Sequence, residues 1–225
     1  MKRLFSRKTE EDHDFWMSYT DLMSGFLIVF IITSLIFHSD YTNLRREISQ
    51  QRQLRNLITE YEDILISNDE IKVEFDNQRG SIILTHQDDD RYLFQSGRAQ
   101  MEPELKRFLN LNGKKMIEKT IALWDANDFT NIEMRIEGHT DPSWDGTRGA
   151  DYGYIRDLEL SSARANQVYT YMLENLGLSR DQREFVKKNM ISIGYSYSRR
   201  VANDDIDNLS LDPSSRRIEF RIISK

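Results

Sequence analysis

The 225-residue chain contains no cysteine. That excludes disulfides, thiolate metal sites and cysteine nucleophiles, and it leaves the redox compartment open. It also lacks an excess of positive charge. The formal net charge is −6, and no basic face dominates, which argues against direct nucleic-acid binding. No phosphate-cradling glycine loop appears, and His13, His38, His86 and His139 are scattered without a serine or cysteine nucleophile pattern. The chain therefore reads as a non-enzyme without a cofactor, metal ligands included. One absence is local: neither proline nor glycine interrupts residues 38 to 68.

What the chain does have is a single long apolar run, residues 15 to 37, FWMSYTDLMSGFLIVFIITSLIF. A helix needs about 20 residues to cross the hydrocarbon core of a bilayer. The run is too long for a signal-peptide core, and no small-residue cleavage site follows it, so it is expected to stay as an anchor. Lys2, Arg3, Arg7 and Lys8 precede it, whereas the nearest cations after it are Arg45 and Arg46. The positive-inside rule then places the N-terminus in the cytoplasm and the bulk of the chain outside the inner membrane. Asp21 is the one ionisable residue within the run. A carboxylate at membrane depth is costly and marks an ion pathway or a functional pairing. The alternative is a helix that starts at Leu22 with Asp21 as its N-cap, which would leave a span slightly short of the bilayer.

Tyr19-Thr20-Asp21-Leu22-Met23, preceded by Trp16 and followed by the apolar run, resembles the MotB family, the B subunits of ion-driven rotary stators, which carries Tyr-Ala-Asp-Phe-Met at this place. The resemblance implies that Asp21 carries the translocated ion, H+ or Na+. It also implies a homodimer of this chain inside a ring of a MotA- or ZorA-like membrane subunit, in a ratio of about five A to two B.

Residues 38 to 70 read as a helical connector, with an apolar stripe at Tyr41, Leu44, Ile48, Leu54, Ile58, Tyr61 and Leu65. It is a spacer or, as in flagellar stators, a plug. Residues 71 to 225 alternate strands and helices. Strands are expected at Ile71–Phe75, Ser81–Thr85, Ile132–Gly138, Ile191–Tyr195 and Ile218–Ile223. Helices are expected at Glu102–Trp124, Leu158–Leu176 and Asp181–Asn189. The fold class is thus a single-span transmembrane α-helix, a helical connector and an α/β sandwich, a mixed sheet covered by helices on one face. The domain boundaries are 1–14 for the tail, 15–37 for the span, 38–70 for the connector and 71–225 for the α/β domain.

Four ordered motifs fall in that last part: Phe94-Gln95-Ser96-Gly97, Gly138-His139-Thr140-Asp141, Leu160-Ser161-Ser162-Ala163-Arg164-Ala165 and Arg216-Arg217-Ile218-Glu219. They resemble the FxSG, GHTD, LSxxRA and RRVE segments of the OmpA-like peptidoglycan-binding family. A carboxylate beside a guanidinium can hold a zwitterion, and the diaminopimelate side chain of a peptidoglycan stem is one. The resemblance implies that Asp141 and Arg164 bind it, with Thr140, Leu160, Ser161 and Arg217 nearby. The alternative is an Asp141–Arg164 salt bridge that only braces the fold.

Two positions depart from the family pattern: Asp157 and Ser215 stand where asparagine is usual. An added carboxylate at 157 could compete for Arg164 or bind a cation. Trp144, Tyr152 and Tyr154 are read as residues of a long loop, Pro142–Arg156, where they either stack on sugar, form a dimer contact or pack the loop. The acidic stretches Asp88–Asp90 and Asn203–Asn208 read as solvated loops. The short connector, compact domain and long loop resemble stators of Zorya-type anti-phage defence more than flagellar ones. A flagellar-type stator and a passive wall anchor without ion flow stay as the alternatives.

Overall fold

The structure, a computed structural model, describes residues 2–65, 69–88, 91–127, 132–142, 149–201 and 213–224. The chain divides into two units, Met1–Gln51 and Arg52–Lys225.

The first unit is helical. Its helix, α1, runs Lys2–Ile64, and its last turns belong to the second unit. Within it Trp16–Thr42 is long and apolar enough to cross a membrane. These 27 residues rise about 40 Å at about 1.5 Å each. Phe26, Leu27, Phe30, Leu35 and Phe37 are exposed on it, as lipid-facing residues would be. Its hydroxyls are turned inward onto the backbone. Thr20, Ser24 and Thr33 donate to the carbonyls of Trp16, Thr20 and Val29 at 2.8, 2.7 and 2.9 Å. Bare hydroxyl groups would otherwise add to the cost of an apolar surround.

The second unit is a five-stranded sheet under three helices. Its strands are β1 (Ile71–Asp76), β2 (Ser81–His86), β3 (Ile132–Gly138), β4 (Met190–Gly194) and β5 (Ile218–Ser224). Their order is β1-β2-β5-β3-β4, with β3 and β4 parallel and the other neighbours antiparallel. The helices α2 (Pro103–Asn127), α3 (Ala150–Asn175) and α4 (Arg180–Asn189) pack against one another and against the sheet.

Local chemistry sets the boundaries. The β1–β2 turn is tied by the Asp76 carboxylate, which accepts from the backbone N–H groups of Gln78 and Arg79, both at 2.9 Å. Gly80 closes the turn at φ 69°. Pro103 opens α2, where its missing N–H costs nothing. The capping box of Ser179 and Gln182 starts α4.

Strand alternation separates two faces. Met134, Ile136, Ile218, Phe220 and Ile222 are buried toward the helices and join Leu105, Phe108, Val168 and Met172 in one core. Glu133, Arg135, Glu137, Glu219 and Arg221 occupy the intervening positions. There Arg135 lies opposite Arg221, and Glu137 opposite Glu219. Like charges face each other across the ladder. The opposite-charge contacts run along or diagonally to the strands, as in Glu133–Arg135 at 3.0 Å.

Two features differ from the sequence expectation. First, Ile58 and Tyr61, read as connector stripe, are fully buried in the core of the second unit. The Tyr61 hydroxyl bonds Thr120 of α2, and Lys119 pairs with Glu60 at 2.5 Å. The stripe is apolar because it packs on α2. Second, α3 starts at Ala150, eight residues before the expected Leu158. Gly149 and Gly153 flank its first turn and masked the helical period in the sequence. Tyr152 and Tyr154 therefore sit on the helix and not in a loop. The Tyr154 ring packs edge-on against Tyr197, with centroids 5.2 Å apart. The strand β3 covers Ile132–Gly138 as expected, and Asp141 lies three residues beyond its end. Trp144, Asp89, Asp90 and Asn203–Asn208 lie outside the described residues.

Candidate functional site

Helix α3 comes unusually close to β3 and β4, and two glycines permit it. A Cβ on Gly138 would lie 2.2 Å from the Ser161 carbonyl oxygen. A Cβ on Gly194 would lie 2.2 Å from the Ser162 hydroxyl and 2.3 Å from its amide nitrogen. The contact is locked by hydrogen bonds. The Ser161 hydroxyl donates to the Leu158 carbonyl at 3.0 Å and accepts from the Ser196 N–H at 2.9 Å. Ser196 holds φ 52°, and its carbonyl accepts the Thr140 N–H at 3.0 Å. Ser161 is thus a buried staple between helix and sheet.

The helical period then divides the motif. Ser161 and Ala165, four apart, face the sheet, whereas Leu160 and Arg164, also four apart, line a cleft. A spacing of three would put Arg164 on the helix face of Ser161, but this register turns it away. Arg164 also lies in the fourth turn of α3, because the helix begins earlier than expected.

The cleft has a volume of about 90 Å³ and is lined by Tyr92, Ser96, Gly97, Thr140, Asp141, Leu160, Arg164 and Arg216. That is about three waters' share of space, enough for a carboxylate or ammonium head. Its rim is the tight loop between Phe94 and Met101, which form an isolated bridge. The Arg98 carbonyl of this loop accepts from Arg164 Nε at 3.1 Å, and the Arg164 guanidinium lies 5.2 Å from the Phe94 ring centre. The terminal NH1 and NH2 groups of Arg164 make no hydrogen bond among the described residues. Burial pushes this guanidinium down to about 10, with the charges of Asp141 and Asp157 opposing. Thr140 is 2% exposed and its hydroxyl has no hydrogen-bond partner among the described residues.

Asp141 is paired with Arg216, not with Arg164 as the fold-bracing alternative had it. Arg216 NH2 donates to Asp141 Oδ2 at 2.6 Å, and its guanidinium lies 4.5 Å from the Tyr92 ring centre. Arg217, placed in the site by sequence, lies outside the cleft. Its Nε donates to Glu219 Oε1 at 2.6 Å, and its NH2 donates to the Arg199 carbonyl at 3.0 Å. Strand parity explains the swap. Ile218, Phe220 and Ile222 face the helices, so Arg217 shares the opposite face with Glu219 and Arg216 returns to the helix side. The same alternation was readable in the sequence.

On that opposite face Glu137, His139 and Glu219 come together, with ligand atoms within 4.8 Å of one another and all three residues buried. The His139 nitrogens make no hydrogen bond among the described residues. Nε2 lies 3.7 Å from Glu137 and 3.6 Å from Glu219. Electrostatics disfavour a metal there. Arg217 bonds Glu219 at 2.6 Å, while Arg199 and Arg221 approach Glu137 at 3.4 and 4.0 Å. Three guanidiniums against two carboxylates already leave +1, and a divalent cation would raise this to +3 in a buried place. Burial holds the His139 imidazole below its ordinary value. Burial also resists ionisation of Glu137, yet the neighbouring His139 and the charges of Arg221 and Arg199 outweigh it and lower the carboxyl.

In the first unit, Asp21 lies in a groove with Trp16, Met17, Ser18, Thr20 and Ser24. Its carboxylate has no hydrogen bond or ion pair among the described residues.

Comparisons with known proteins follow this geometry. No family model matches the chain. It is similar end to end to the Zorya protein ZorB of Escherichia coli strain ATCC 8739, with 25% identity over 96% of this chain and 91% of that one. A second Zorya protein ZorB, from Escherichia coli O139:H28, is 23% identical over 96% of this chain and 82% of that one. Among solved structures, a MotB-like protein from Desulfovibrio vulgaris is 20% identical, covering 80% of this chain and 95% of that one with a TM-score of 0.45. The cell wall anchor of the type VI secretion system from Pseudomonas aeruginosa covers 76% of this chain and 97% of that one, at 17% identity and a TM-score of 0.37. The resemblance read in the motifs thus extends along the whole chain.

Proposed function

We propose, from the full-length likeness to ZorB proteins, that this chain is the B subunit of an ion-driven inner-membrane stator that acts in anti-phage defence. The observation that carries the motor reading is Asp21, an exposed carboxylate without a partner on a helix of otherwise lipid-like surface. Such a charge in hydrocarbon is stabilised only by a partner protein or by taking up a cation. Two copies of the chain sit inside a ring of about five ZorA-like subunits, N-termini in the cytoplasm. Asp21 accepts H+ or Na+ from the periplasmic side. Neutralised, it no longer demands a polar contact from the ring, so the ring repacks, and release to the cytoplasm restores the charge. Residues 38 to 70 link the span to the domain that grips the wall. There the cleft of Thr140, Asp141, Leu160 and Arg164 takes the diaminopimelate side chain of a stem peptide, so that the stator is held while its partner turns. The motion signals to cytoplasmic effectors.

Defence is preferred over motility because both curated relatives carry the Zorya name. The test is phage plating on cells carrying the native gene neighbourhood, wild type against Asp21→Asn. Asparagine keeps the shape and cannot exchange charge. Protection lost in the variant, at equal membrane level, is the expected result. Equal protection in both would make the chain a passive anchor, and no protection in either would favour a motility stator.

A further inference from the structure

Asp141 is not open to the ammonium of a free zwitterion. Two guanidiniums, Arg164 and Arg216, and one carboxylate, Asp141, line the cleft, and the charge of Asp157 also acts on Arg164. The carboxylate is already engaged by Arg216 at 2.6 Å, and Arg216 is held from its other side by the Tyr92 ring. A ligand ammonium entering here would have to displace an internal cation from its partner. Arg164 is the reverse case. Its Nε is spent on the Arg98 carbonyl, which fixes the plane of the guanidinium. NH1 and NH2 stay open, and the group is desolvated enough to fall to about 10. A planar pair of N–H donors in that state fits a carboxylate in fork geometry. The unpartnered hydroxyl of Thr140 is placed to supply one more donor.

We propose that the cleft selects a carboxylate whose companion amine is acylated, over the free zwitterion. In a wall this is the diaminopimelate residue whose distal amine already forms a cross-link. The inference rests on the wall-binding reading and narrows its ligand. It makes the anchor specific for mature, cross-linked wall.

The experiment uses the full chain in detergent and two stem tripeptides ending in diaminopimelate, one with the distal amine free and one with it acetylated. Titration calorimetry should show the acetylated peptide binding about ten-fold more tightly, the size of one unmet charged hydrogen bond. Arg216→Gln frees Asp141 and should reverse the preference. Should that variant fail to fold, the wild-type comparison decides alone. Tighter binding of the free-amine peptide to wild type would overturn the inference and leave wall binding intact. Binding of neither peptide would also overturn it, and if the protein failed to sediment with sacculi the wall reading would fall with it.

Discussion

A single methyl group at Gly138 should displace the helix that carries the site. An alanine Cβ would lie 2.2 Å from the Ser161 carbonyl oxygen and 3.0 Å from its carbon, both backbone atoms. Restoring ordinary contact at 3.4 Å from 2.2 Å needs a retreat of about 1.2 Å by α3 or β3. Neither can yield by rotating a side chain, because Ser161 is also bonded to Ser196 across the gap. Overpacking of this kind costs about 1–3 kcal/mol, and the rigid neighbours put Gly138→Ala at the upper end. For a domain of this size that is a fall in Tm of about 6–12 °C. Arg164 lies three residues beyond Ser161, so the same shift pulls it out of the cleft and sacculus binding should drop as well. Gly113→Ala is the control. Its Cβ meets the tip of Leu176, Cδ1 at 2.6 Å, which can swing aside. The helix gains about 1 kcal/mol of propensity, so Tm should change little. Thermal unfolding of the full chain in detergent reads both. A Gly138→Ala protein that melts within about 1 °C of wild type, or a Gly113→Ala protein that loses as much, would refute the reasoning.

Tyr61→Phe removes the hydroxyl that bonds Thr120, which still donates to the Met116 carbonyl at 2.7 Å. The cost should be about 1 kcal/mol, whereas Tyr61→Ala should cost about 3–5 kcal/mol; equal losses would mean that the ring packs nothing. Arg217→Met strands the buried Glu219 and should destabilise by about 3–5 kcal/mol, while Arg217→Met with Glu219→Leu should recover most of it. A double variant as unstable as the single one would show that the pair is not the cause. Acid should destabilise the domain in two steps. His139 is held below its ordinary value of 6.5 and Glu137 below 4.5, so in both cases the unfolded chain binds the proton more readily. The stability each provides is complete above those values and is lost as pH falls through them. Tm should hold above pH 6.5 and decline below it, and His139→Gln should flatten the first part of that decline. An unchanged slope in the variant would remove His139 from the account.

The membrane helix and the strands were legible because each rests on a local pattern: a long apolar run, or alternation bounded by turn residues. Four of the five strands start where expected and end within one residue of it, and β4 is shifted by one. The parts that escaped depend on what an element packs against. The stripe of Ile58 and Tyr61 fits a connector facing its twin as well as a helix folded onto α2, since both bury one narrow face. The first turns of α3 were hidden by Gly149 and Gly153, which lower helix propensity without forbidding it. Thr140, Asp141, Leu160 and Arg164 come together in one cleft, yet Asp141 pairs with Arg216, which the expected site did not include. An adjacent arginine pair offers two guanidiniums, and only strand parity says which one faces the helices.

Parity and helical period together explain why so short a motif can both hold the fold and build the site. In Leu160–Ala165 the residues facing the sheet are small: Ser161, Ser162 and Ala165 meet Gly138 and Gly194. Small residues on both sides let α3 settle on the strands, and the hydroxyl of Ser161 satisfies the strained Ser196 at the contact. The residues one position before, Leu160 and Arg164, are then carried past the sheet edge toward the loop of Ser96 and Gly97. Arg164 therefore has its position fixed by packing it does not share. That is why it can keep two donors open in a buried place, and why a change at Gly138, outside the cleft, should be felt inside it.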